Sequence, residues 1–127
     1  MVAPHVGTKT VLIADDDFWL RDMLALLLTD DGFCPIEAST GPETVEVARQ
    51  QHPDLILLDV GLPGRSGLGV LADLRDDAST RDIPVMLLSG QINLFETGHA
   101  FDTEAAFHKP LDFTAFLNRV HEITRGR

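Results

Sequence analysis

Three carboxylates, a hydroxyl and an amine each stand at the end of an apolar run in this chain. Asp15 and Asp16 follow Val11-Leu12-Ile13-Ala14, and Asp59 follows Leu55-Ile56-Leu57-Leu58. Ser89 follows Val85-Met86-Leu87-Leu88, and Lys109, with Pro110 after it, closes Ala105-Ala106-Phe107-His108. Converging carboxylates can hold a divalent cation, and one carboxylate can act as a nucleophile. A hydroxyl and an ammonium can hydrogen-bond the oxygens of a transferred group. Together these are the groups a metal-assisted phosphoryl transfer needs. Each has an ordinary role when taken alone. An acidic doublet after a strand caps a helix, a single Asp or a Ser-Gly pair makes a turn, and a lysine before proline is a surface residue. The shared placement of all of them at strand ends carries the functional reading.

That placement depends on the elements between them. Residues 10–14, 54–59 and 83–88 read as buried strands without polar alternation, and 104–108 as a short one. Residues 33–37 read as a weaker strand that Pro35 assigns to an edge. Leu20, Met23, Leu24, Leu27 and Leu28 recur at i, i+3, i+4, i+7 and i+8, one apolar helix face, with Asp17 to cap the helix and Gly32 to end it. Thr40-Gly41-Pro42-Glu43 starts a second helix, by a capping box or by proline in its first turn, and His52-Pro53 ends it. After the loop Gly61-Leu62-Pro63-Gly64 comes a helix carrying Leu68, Leu71 and Leu74. Phe113, Phe116, Leu117, Val120 and Ile123 mark the last helix, capped by Asp112. Strand and helix thus alternate, and right-handed crossovers give a parallel sheet covered on both faces. Ligands bind such a sheet outside the carboxyl ends of its strands.

With these residues in this order, the chain resembles the response-regulator receiver domains of the CheY-like family, from about Lys9 to Thr124. The resemblance rests on Asp15-Asp16, on Asp59-Val60-Gly61-Leu62-Pro63 with Gly67 four residues later, on Ser89-Gly90 and on Lys109-Pro110. It implies an α/β fold, a doubly wound, flavodoxin-like sheet of five parallel strands in the order 2-1-3-4-5, as one receiver domain over residues 1–127. It implies that Asp59 accepts a phosphoryl group, that Asp16 binds Mg²⁺ directly, and that Asp15 binds it directly or through water. Asp59 itself and the Gly61 backbone carbonyl complete the protein ligands. Lys109 would pair with Asp59 and then with a phosphoryl oxygen, Ser89 would bond another, and Gly90 would leave room for the donor. Such a domain is a phosphoacceptor assisting its own phosphorylation and dephosphorylation rather than an enzyme. Its partners would be a histidine kinase or histidine phosphotransfer protein and a downstream effector protein. A monomer or weak dimer is expected.

The chain departs from that family in one region. Receiver domains carry Tyr or Phe three positions before the lysine, but here that position is Ala106 and the aromatic is Phe107. Strand periodicity is two, so a one-residue displacement changes the face of the sheet. The segment 91–103, interrupted by Gly98, has no continuous apolar stripe. A short, displaced or irregular fourth helix is therefore expected, without the usual aromatic switch.

Composition narrows the function classes. Asp plus Glu number 20 against 10 Lys plus Arg, a formal charge of −10, which disfavours direct binding to nucleic acid or to an anionic membrane. Most of this charge serves solubility. The single cysteine, Cys34, excludes an internal disulfide and is expected to be a buried thiol of a cytoplasmic protein. No apolar run is long enough to span a membrane, and Met1 to Lys9 lacks the apolar core of a signal peptide. With no DNA-binding segment after Thr124, the expected output is protein binding or phosphate relay. Two rivals remain open. Asp15-x-Asp17 resembles the first motif of haloacid-dehalogenase-like phosphatases, although Trp19 replaces the expected Thr or Val and no acidic pair follows Lys109. A receiver-like scaffold acting without phosphorylation is the other.

Overall fold

Three five-residue runs with almost no polar residue, at the ends of which Asp15, Asp59 and Ser89 stand, have to be buried on both faces, and the sheet they form does this. The computed structural model describes residues 8–89, 112–125 and the backbone of 105–108. The strands are β1 (Thr10–Ala14), β2 (Cys34–Ala38), β3 (Leu55–Asp59), β4 (Val85–Ser89) and β5 (Ala105–His108). The helices among the described residues are α1 (Phe18–Asp30), α2 (Gly41–Gln51), α3 (Gly67–Asp76) and α4 (Phe113–Thr124). All pairings are parallel and the order is β2-β1-β3-β4-β5, the expected doubly wound sheet. Pro35 sits in the edge strand β2, where its missing N–H interrupts no central ladder.

The pleat divides each central strand between two cores. Leu12, Ala14, Ile56, Leu58, Val85 and Leu87 face one way and pack with Val45 and Ala48 of α2 and Val70, Leu71 and Leu74 of α3. Val11, Ile13, Leu55, Leu57, Met86 and Leu88 face the other way and pack with Leu24 and Leu28 of α1 and Phe116 and Val120 of α4. This two-sided burial is why the strands read as unbroken apolar runs.

The helix boundaries follow their caps. The Asp17 carboxylate accepts from the Trp19 and Leu20 N–H groups, and Asp112 accepts from Ala115 N–H. Thr40 Oγ1 accepts from Glu43 N–H at 3.2 Å. The Glu43 carboxylate reaches back to Ser39 N–H at 2.7 Å, one residue earlier than in a standard capping box. Helix α1 ends as expected at Gly32, with φ +92°, and α2 ends at His52, with φ +46°, just before Pro53.

Two expectations need correction. Cys34 is half-buried in the edge strand rather than fully buried. On α1, Leu24 and Leu28 are buried, but Met23 is 46% exposed, so the periodic apolar set is not all core. The segment 91–103, Gly90 and the pair Lys109-Pro110 lie outside the described residues.

Candidate functional site

The end of β1 turns straight into α1, and each aspartate of the run 15–17 has a different task. Asp15 is completely buried. Its N–H donates to the Ala38 carbonyl of β2 at 3.1 Å. Its Oδ1 accepts from Asp17 N–H at 2.9 Å, and its carbonyl accepts from Arg21 Nη1 at 2.9 Å. Asp16 is exposed at the mouth of the sheet. Asp17 turns away to cap α1, as its sequence position implies. A second aspartate committed to a cap leaves the phosphatase-like Asp-x-Asp reading without its second functional carboxylate.

Asp59 is the last residue of β3, the central strand, and is 6% exposed. Its Oδ1 accepts from Gly61 N–H at 3.3 Å. The loop after it is tied down at several points. Gly67 N–H donates to the Val60 carbonyl at 2.8 Å, and Gly41 N–H to the Pro63 carbonyl at 3.0 Å. Arg65 forks onto Asp73 with two contacts of 3.1 Å, which raises the guanidinium pKa further above its ordinary value. A backbone so held gives the Asp59 carboxylate a defined direction.

Asp15, Asp16 and Asp59 each bring one carboxylate oxygen to a single point, all within 4.8 Å of one another. At such separations each charged pair repels by roughly 3 kcal/mol at an effective dielectric constant of about 20. An all-oxygen donor set of this charge, with Asp15 and Asp59 buried and Asp16 exposed, fits a hard divalent cation such as Mg²⁺. Ser89 is buried at the end of β4, one residue beyond Leu88, the register partner of Asp59. His108, the residue before Lys109, pairs in register with Ser89. Lys109 itself lies outside the described residues, as noted.

Two features escaped the reading of motifs. Arg21 grips the backbone of Asp15; its only signal in sequence is a cation in the first turns of a helix that follows an acidic doublet. The other is the outer side of α1. Phe18, Trp19, Met23 and Leu26 are the large hydrophobic residues exposed among those described, and all four are on this helix. Apolar residues on both sides of α1 hid that face from a count of periodicity.

Comparison with known proteins agrees with this architecture. Residues 11–121 match the family described as the response regulator receiver domain. The phosphate regulon transcriptional regulatory protein PhoB of Klebsiella pneumoniae is 40% identical over 83 residues, 65% of this chain and 36% of PhoB. The chain thus spans about a third of the length of the PhoB relatives it matches. The polar-differentiation response regulator DivK of Brucella ovis is 33% identical over 118 residues, covering 89% of this chain and 94% of DivK. The solved structure of the response regulator TrrA of Thermotoga maritima, in complex with Mg²⁺ and BeF, superposes with a TM-score of 0.82. It covers 91% of this chain and 99% of TrrA at 24% identity, a likeness of fold. Matched along most of its length by family and by fold, this chain belongs to the response regulator receiver domain family.

Proposed function

We propose that this chain is a phosphoacceptor of two-component signalling, with Asp59 as the acceptor and Mg²⁺ held by Asp15, Asp16, Asp59 and the Gly61 backbone carbonyl. The observation that carries the reading is the approach of three carboxylates from two different strand ends to within 4.8 Å, beside the buried Ser89. The Mg²⁺ and BeF bound by TrrA, a protein of the same fold, support the choice of ion and of chemistry.

The step is a transfer from nitrogen to oxygen. A carboxylate oxygen of Asp59 forms the new O–P bond as the P–N bond to a donor histidine breaks, and the bonding pair leaves with the imidazole. Mg²⁺, when bound, offsets the repulsion between the carboxylate and the phosphoryl oxygens. The chain's own residues orient the groups. Gly61 N–H and the end of β3 aim the Asp59 carboxylate, Ser89 donates its hydroxyl to one phosphoryl oxygen, and Lys109 pairs with another. The chain turns over no separate substrate in this reading. Phosphorylation biases an equilibrium between two surface conformations that a downstream effector protein distinguishes.

The donor is a histidine kinase or a histidine phosphotransfer protein. The exposed apolar face of α1 supports a helical docking partner next to the site, because Trp19 lies only three residues beyond Asp16 and is 77% exposed. Among the described residues no helix is long and apolar enough to cross a membrane, and a cytoplasmic location completes the proposal. The test is incubation with acetyl phosphate and Mg²⁺ followed by intact mass. The wild type gains one phosphoryl group and Asp59→Asn gains none; equal uptake by the two proteins refutes the assignment.

A further inference from the structure

We infer that Arg21 is a positioning residue for the metal site, acting through the peptide bond between Asp15 and Asp16; the inference rests on the Mg²⁺ reading above. Its guanidinium makes two directed contacts. Nη1 donates to the Asp15 carbonyl at 2.9 Å, and Nε donates to Glu37 Oε1 in β2 at 2.9 Å. Its Cζ lies 5.7 Å from the centre of the Phe18 ring, and the side chain is only 16% exposed.

The location of this cation is opposed by local physics. Arg21 stands in the first turns of α1, where the positive end of the helix dipole disfavours a cation; the Asp17 cap offsets part of this, and no acidic residue lies within the first turn itself. A side chain placed against its local preference marks a constraint that comes from elsewhere. Here the compensation comes from Glu37 across the strand end and from the carbonyl of Asp15.

That carbonyl belongs to the peptide unit whose nitrogen is Asp16. Asp15 is held besides by its own N–H on Ala38 and by its carboxylate on Asp17. Asp16 is exposed, and no described hydrogen bond orients its carboxylate. Its direction therefore comes from the backbone, and the rotation of the Asp15–Asp16 peptide sets where its Cβ points. Arg21 holds that rotation. It does so through the backbone, with its charge balanced by Glu37, so a second cation is not brought unscreened to the metal. Only a planar fork can serve both acceptors at once; a lysine ammonium is a single point.

The geometric role and a purely electrostatic one differ in sign. A cation near a metal site repels the metal, so if charge were all that mattered, removing Arg21 would tighten Mg²⁺ binding. If Arg21 orients Asp16, removing it weakens Mg²⁺ binding, on the order of tenfold, as loss of an outer contact to a metal ligand does. The experiment is calorimetric titration of the whole chain with Mg²⁺ alone, for wild type, Arg21→Ala, Arg21→Lys and Asp16→Ala, with metal-free thermal melts of each. The expected result is weaker Mg²⁺ binding by both Arg21 variants, with Lys failing to restore the wild-type affinity. Should Arg21→Ala not fold, Arg21→Lys decides alone, because it keeps the charge and the stem and loses the fork. Wild-type or tighter affinity in a folded Arg21 variant, whatever its melting temperature, overturns the inference. Asp16→Ala separates the two levels: if it binds Mg²⁺ like the wild type, the metal reading falls as well, whereas loss of binding there with unchanged Arg21 variants rejects the Arg21 role alone.

Discussion

Gly67 lies so close to the backbone of Asp59 that a Cβ built on it would fall 2.3 Å from the Asp59 carbonyl oxygen and 2.6 Å from Val60 Cα. The obstacle is backbone, which cannot swing aside as a flexible side chain can. Gly67→Ala is therefore expected to push the end of β3 away from α3, destabilise the fold by about 1–3 kcal/mol and slow phosphorylation. At Gly61 a Cβ would meet only Asp59 Oδ2, at an ordinary 3.9 Å, so Gly61→Ala should leave stability nearly unchanged. Urea melts of the two variants check the contrast. Equal destabilisation would contradict the account of Gly67 as a spacer behind Asp59.

Repulsion among Asp15, Asp16 and Asp59 should be visible in stability. Without metal, Asp16→Asn removes one of three converging charges and is expected to raise the melting temperature. In Mg²⁺ the order reverses, because the wild type gains about 2.7 kcal/mol at a concentration of 100 times Kd and the variant gains much less. Thermal melts with and without Mg²⁺ measure both signs. A wild type indifferent to Mg²⁺ would rule out the metal site.

The exposed face of α1 separates two kinds of donor. A small donor such as acetyl phosphate needs only the pocket, whereas in the proposed docking a protein donor covers Trp19, Met23 and Leu26. Trp19→Ser is expected to leave phosphorylation by acetyl phosphate unchanged. It should weaken binding of a cognate protein donor by about 2 kcal/mol, as loss of an aromatic anchor does. Parallel time courses with the two donors decide it, and equal effects on both would move the docking surface elsewhere.

Acid stability should carry the mark of Asp77. Its carboxylate accepts from Ser79 N–H at 2.9 Å, Ser79 Oγ at 2.8 Å and Arg49 Nε at 2.7 Å. These contacts, the Ser79 backbone bond foremost, lower its pKa from 3.8 to about 2. A carboxyl group more acidic in the folded than in the unfolded chain stabilises the fold fully above the unfolded value. That contribution shrinks below 3.8 and is gone once the pH has fallen through about 2. Asp77→Asn should thus be less stable than wild type at pH 5, and the gap should close between about pH 4 and pH 2. Denaturant midpoints across that range test it; a gap independent of pH would assign the loss to packing.

Much of this protein is legible without coordinates. Strands with no polar alternation, such as Leu55-Ile56-Leu57-Leu58, can be satisfied only between two layers, and a helix after each strand forces parallel crossovers. From that alone, Asp15, Asp16, Asp59 and Ser89 arrive at one edge of the sheet. Asp17, Thr40 and Asp112 announced their caps, because capping is a contact between near neighbours in sequence. Tertiary structure decided what depends on distant partners. Adjacent in sequence, Asp15 and Asp16 differ completely in burial, and Asp15 is bonded through its N–H to the Ala38 carbonyl of β2. Periodicity placed Met23 with Leu24 on a core face, but which side of an apolar helix meets the sheet is set by the docking angle, which no local pattern encodes. Arg21 acquires its partner only in the fold, which brings Glu37, sixteen residues away in sequence, beside it. The Gly67 hydrogen could be matched to a motif, but the reason for it is the 2.3 Å left by the Asp59 carbonyl, a distance that exists only once β3 and α3 have packed.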